Sequence, residues 1–121
     1  MNNKVIVTNN PLIKKKYKDL KIIFVEDLSD VYKKCRDMVH KNWALISHPL
    51  AGSVKPAQNP YRSIVLVSGE KFDYYSLETI ENAIAKLAQF SHNHKKREYS
   101  NKIKKDYQVI DLTLIDSALK N

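Results

Sequence analysis

The chain of 121 residues has one cysteine, Cys35, and two glycines, Gly52 and Gly69. A lone thiol excludes an internal disulfide framework and suits a reducing compartment. With two glycines, neither the dinucleotide-binding G-x-G-x-x-G nor a P-loop can be written, because both need glycine wherever backbone closes on phosphate. The nucleophile elbow G-x-S-x-G is missing as well. No apolar run approaches bilayer length, the longest being of the size of Ile64-Val65-Leu66-Val67, and the first residues lack the basic-then-apolar layout of a signal peptide. A cytoplasmic protein without a membrane anchor is expected. Metal ligands are scarce too: His92 and His94 stand two apart, and on a continuing helix they point to nearly opposite sides. Nothing in the chain calls for a metal or a cofactor.

Arginine is the other scarcity. Of 21 basic residues only Arg36, Arg62 and Arg97 are arginine, and the rest are lysine. The formal net charge of +8 allows a polyanionic partner. Nucleic-acid readers, however, use arginine for bidentate contacts to bases, and lysines arise readily on solvated helix faces. Nucleic acid therefore ranks second among partners.

Apolar residues make up 43% and charged residues 28%, the balance of an ordinary globular chain, and this length accommodates one domain and one core. Strand and helix alternate. Lys4-Val5-Ile6-Val7-Thr8 is β-branched and stops at Asn9-Asn10-Pro11, where Asn10 can cap a helix and Pro11 occupies its first turn. Ile13, Tyr17 and Leu20 follow at helical period; Lys21-Ile22-Ile23-Phe24-Val25 reads as a second strand. Ser29 is expected to cap a helix with Cys35, Met38 and Val39 on its apolar stripe. Trp43-Ala44-Leu45-Ile46 and Ser63-Ile64-Val65-Leu66-Val67 read as further strands, and Ser76 as the opening of a long helix carrying Leu77, Ile80, Ile84 and Leu87. Toward the end a short helix from Ser100, an extended Val109-Ile110 and a last helix capped by Asp111 are expected. The pattern predicts a single α/β domain over residues 1–121: a small mixed, mostly parallel sheet of four or five strands flanked by helices. The fourth strand is expected antiparallel to the third, because the intervening segment has no convincing crossover helix.

Ligands of open α/β sheets gather beyond the carboxyl ends of the strands. This directs attention to Thr8, Asn9 and Asn10 at the end of the first strand, Glu26 and Asp27 after the second, and Ser47 and His48 after the third. Asn9-Asn10-Pro11 exposes helix-start amides to an anion, and equally well describes an ordinary cap. The segment from His48 to Tyr61 holds Pro49, Pro56 and Pro60, leaving only Pro11 elsewhere, together with Gly52. A connection of that length in a compact domain is more often functional than idle. Gly52, Ser53 and Lys55 can together hold an anionic group, with His48, Tyr61 and Arg62 at the ends; alternatively His48 only braces a corner. No set of these residues declares a reaction, and no catalytic residue is assigned.

Four blocks, Val7-Thr8-Asn9-Asn10-Pro11, His48-Pro49-Leu50-Ala51-Gly52-Ser53-Val54-Lys55-Pro56, Pro60-Tyr61 and Val109-Ile110-Asp111-Leu112, span nearly the whole chain. In them the sequence resembles the GrdX family. That family is encoded beside the glycine, sarcosine and betaine reductase components of amino-acid-fermenting anaerobic bacteria. The resemblance implies a cytoplasmic accessory role near that pathway, with a small anionic metabolite or a reductase component as partner. It implies no reaction and carries over no catalytic residue.

The basic surface can be tested directly. If the lysines are merely solvated, a fluorescence-anisotropy titration with nucleic acid at low salt is expected to show no binding; affinity falling steeply with salt would establish the polyanion reading instead.

Overall fold

The computed structural model describes residues 3–49, 59–93 and 98–120. The β-branched start forms β1 (Lys4–Thr8), and Asn10 ends it by capping α1 (Pro11–Lys16), its side chain accepting from the Leu12 amide. β2 (Lys21–Phe24) returns alongside β1 in parallel, and α2 (Leu28–Val39), β3 (Trp43–Leu45), β4 (Ser63–Ser68), α3 (Tyr74–Asn93) and α4 (Asn101–Lys120) follow. The four strands form one mixed sheet in the order β2-β1-β4-β3. β4 runs antiparallel to both β1 and β3, and its course against β3 is the one favoured by the missing crossover helix.

Helices cover both faces of this sheet, which is why its central strands read as continuous apolar runs rather than alternating ones. Successive strand residues point to opposite faces. Val5 and Val7 of β1 with Ile64 and Leu66 of β4 therefore pack beneath α2 and α3, joined by Val31, Tyr32, Cys35, Val39, Ile80 and Ala83. Ile6 and Val65, one register position away, pack on the other face against Ile13 of α1 and Ile115 of α4. The register Val5↔Leu66, Ile6↔Val65, Val7↔Ile64 aligns the two sets. A slip of one residue would exchange the faces.

Three local expectations change. Asp27, not Ser29, caps α2: its carboxylate accepts from the Asp30 amide at 3.0 Å, and Ser29 Oγ donates to it at 2.9 Å. Those bonds, the Asp30 amide first, hold the Asp27 carboxyl below its ordinary range against a smaller opposing effect of burial. α3 begins two residues before Ser76, whose hydroxyl donates to Asp73 and accepts from the Leu45 amide. The largest change concerns the C-terminal region, where one 20-residue helix, α4, replaces a short helix, an extended pair and a last helix. Val109 and Ile110 lie in its middle, 49% and 50% exposed. Their β-branched preference yields because Asp111, Leu112, Ile115 and Leu119 make an unbroken helical stripe facing the sheet.

α4 is tied to α1 by Asp116, which accepts from Lys16 Nζ at 2.8 Å and from the Tyr17 hydroxyl. Burial, then that bond, pushes the Tyr17 hydroxyl up to about 12. Across the molecule, Asn42 takes a left-handed conformation (φ 72°) between α2 and β3, and its carbonyl approaches Gly69 so closely that a Cβ there would meet it at 2.9 Å. That contact accounts for one of the two glycines.

Cys35 is wholly buried beneath the sheet, and burial pushes its thiol far above the ordinary range. A disulfide reagent added to native protein is expected to label it only at the rate of global unfolding, rising with denaturant along the unfolding transition. Labelling in water at the rate of a free thiol would contradict this packing.

Candidate functional site

The carboxyl ends of β1 and β3 and the start of β4 meet at one edge of the sheet, since β4 runs against both. Polar residues are buried there. Thr8, Asn9, Asn10, Arg62, Ser63 and Asp111 are each at most 6% exposed. Such groups survive burial only by pairing with one another.

Asp111, reaching across from α4, is the hub. Its Oδ1 accepts from the Ser63 amide at 3.0 Å, and its Oδ2 accepts from Ser63 Oγ at 2.5 Å and from Asn10 Nδ2 at 3.0 Å. Thr8 Oγ1 and Ser63 Oγ share a hydrogen bond at 2.7 Å, and Thr8 Oγ1 accepts from the Asn10 amide at 2.9 Å. A continuous hydrogen-bonded chain therefore runs from the Asn10 amide through Thr8 and Ser63 to Asp111. Burial nevertheless outweighs these bonds, together with the positive Arg62 close by, and raises the Asp111 carboxyl above its ordinary value.

Asn10 serves three partners: its Oδ1 caps Leu12 at 3.0 Å, and its Nδ2 donates to Gln108 O at 2.9 Å as well as to Asp111. The Ile13 amide is taken by Asn10 O, so the first amides of α1 are engaged internally. Asn9 fastens the opposite strand, donating to Pro60 O at 2.8 Å and accepting from the Arg62 amide at 2.8 Å. Tyr61 is half-buried, with its amide bonded to Asn59 Oδ1 at 2.9 Å.

Arg62 breaks the pattern. It is 5% exposed, yet its Nε and Nη2 atoms have no hydrogen-bond partner, alone in this among the buried side-chain nitrogens and oxygens of the described residues. The ion pairs among the described residues are Lys16–Asp116 and Arg36–Glu81; Arg62 makes none, and its charge is felt by the nearby Asp111 carboxyl and Tyr32 hydroxyl. The Tyr32 hydroxyl, which donates to Pro49 O at 3.2 Å, is raised by burial, with Arg62 opposing. A cavity of about 250 Å³ opens here; Ser47, His48, Arg62, Ser63 and Asp111 form its polar wall, and residues of α4 form the remainder.

Of the residues expected at a site, His48 and Arg62 line this cavity, Asn9 and Asn10 hold its frame, and Tyr61 is not among its lining residues. Gly52, Ser53 and Lys55 lie outside the described residues. Thr8 stood in the strand-end group with Asn9 and Asn10, whereas the part of Ser63 and Asp111 in the site is not visible in the sequence. Ser63 begins a strand and Asp111 looked like a helix cap, and only the pairing of distant elements makes them neighbours. The one available signal was a carboxylate between apolar residues at Ile110-Asp111-Leu112. Among the described residues no cluster of three or more His, Cys, Asp or Glu could hold a metal ion.

Asp111→Asn turns one acceptor oxygen into a donor facing Asn10 Nδ2, and is expected to cost about 1–3 kcal/mol of stability. A carboxyl raised on folding contributes stability that is complete below its unfolded value and is lost as pH rises through the folded one. The gap between wild type and variant, followed by thermal denaturation from about pH 4 to about pH 8, should therefore be widest in acid and narrow upward. Widening toward neutral pH would show the opposite shift.

No curated protein and no solved structure matches this chain. A family model described as GrdX-like protein matches residues 5–120. That match takes in every strand and helix whose contacts build the cavity, from β1 to α4, and the chain therefore belongs to the GrdX-like family.

Proposed function

We propose that this protein is a cytoplasmic accessory protein of reductive amino-acid metabolism, acting beside glycine, sarcosine or betaine reductase components, and that it binds a small anionic ligand in the cavity at the start of β4. The single observation that carries the binding reading is Arg62, a buried guanidinium with Nε and Nη2 unpartnered. Burying a charge without compensation costs several kcal/mol. Anion binding would offset that cost in the bound state. Asn9 and Asn10 act as the frame, Arg62 supplies the charge, and His48 and Ser47 add polar groups on the same wall. Gly52, Ser53 and Lys55 extend this reading into the adjoining segment. No helix among the described residues is long and apolar enough to cross a membrane. Family membership supports the pathway assignment, and the cavity supports the ligand.

The test separates binding from stability. Arg62→Met is expected to weaken the tightest anion found in a calorimetric screen of acetate, glycine, phosphate and sulfate by tenfold or more, the scale of a charge-assisted bidentate contact of about 1.5–3 kcal/mol. Thermal denaturation of the variant, run beside the titration, should still show one cooperative transition well above the titration temperature, so that the loss is one of binding and not of folding. The reading is abandoned if no anion binds wild type, or if the variant binds the same anion equally well.

A further inference from the structure

The cavity at Arg62 has a chemical asymmetry that narrows its ligand. Nε–H and one Nη2–H point in the same direction along one edge of a guanidinium, at the spacing of the two oxygens of a carboxylate. In Arg62 these are the two atoms left without partners, in a side chain that is 5% exposed. Charge limits the choice further. Among the described cavity-lining residues Arg62 is the one lysine or arginine, and the Asp111 carboxyl stands in the same wall with its oxygens already engaged by Ser63 and Asn10. Arg62 already interacts with that carboxyl, so a phosphate dianion would bring more negative charge toward Asp111 than a monoanion does, in a site of low polarity. The wall supplied by α4 presents Leu114, Ile115 and Ala118, with the Ser117 hydroxyl among them. The three apolar side chains offer no hydrogen bonds and gain from covering an apolar tail.

We propose that the ligand of this cavity is a small monocarboxylate with a short apolar tail, its two oxygens on Arg62 Nε and Nη2 and its tail against Leu114, Ile115 and Ala118. This rests on the anion-binding reading above and adds the class of anion. A cavity of about 250 Å³ holds roughly eight groups the size of water, at about 30 Å³ each. An acid of two to about six carbons fits within that volume.

The experiment is a titration of the wild-type protein, followed by NMR or calorimetry, with acetate, propionate, butyrate, hexanoate and octanoate, and with phosphate and sulfate. Binding is expected to tighten about fourfold for each methylene added, following the burial of apolar surface, until the chain outgrows the cavity between hexanoate and octanoate. Phosphate and sulfate should bind at least tenfold more weakly than butyrate. Ala118→Leu, which fills the tail side, should abolish the gain from acetate to hexanoate while leaving acetate itself nearly unchanged. If an Arg62-dependent anion is bound but phosphate or sulfate equals butyrate, or chain length has no effect in wild type, the carboxylate inference falls while the anion site stands. If none of these anions binds wild type, both fall together.

Discussion

A carboxylate buried against a sheet edge is tolerable only if its lone pairs are taken up, and at Asp111 three donors from two distant segments do so. Ser63 belongs to β4 and Asn10 to the β1–α1 junction, so a single side chain of α4 joins segments that are 48 and 101 residues away in sequence. The same Asn10 caps α1 and reaches the backbone of α4 at Gln108. Helix α4 is thereby held to the sheet edge at its middle by polar contacts and beyond that point by Ile115, Leu112 and Leu119. Losing either class would leave the other with an unsatisfied polar group or an uncovered sheet face.

Arg62 is positioned by that arrangement. Its amide is fixed by Asn9, its neighbour Ser63 is fixed by Asp111, and its side chain is enclosed between Tyr32 on one side of the sheet edge and the α4 wall on the other. Among the described residues, the buried side-chain nitrogens and oxygens around it all have partners, and the network stops at two atoms of the guanidinium. A protein optimised only for stability would not keep that edge buried without a partner, which is the sense in which the corner departs from local consistency.

Much of the architecture was legible because the sheet is covered on both faces. Continuous apolar runs at Val5-Ile6-Val7 and Ile64-Val65-Leu66 identify central strands, Asn10-Pro11 marks the start of a helix, and the helical stripe from Leu77 to Leu87 appears at its true place. Even the antiparallel course of β4 followed from the lack of a crossover helix. Helix α4 was read in pieces because Val109-Ile110 has a local preference for extended structure, and local preference was the only information available before the stripe through Ile115 met the sheet. Ser29 was taken for a cap because Asp27 and Ser29 both suit that role, and the backbone geometry decides between them.

The site divides along the same line. His48, Arg62, Asn9 and Asn10 stood out because residues following strands collect at one edge of an α/β sheet, a rule that needs only the order of elements. Element order and composition are enough to find that edge, the scarcity of arginine that makes Arg62 conspicuous, and the lack of a phosphate-binding glycine loop. Packing of the folded domain is what turns Asp111 inward from α4, brings the Asn10 amide to it, and buries the Arg62 guanidinium with one edge unpaired. Burial and pairing depend on which distant segments meet, and in a chain where Asn10 and Asp111 lie 101 positions apart that is set by packing of the whole domain rather than by any local pattern.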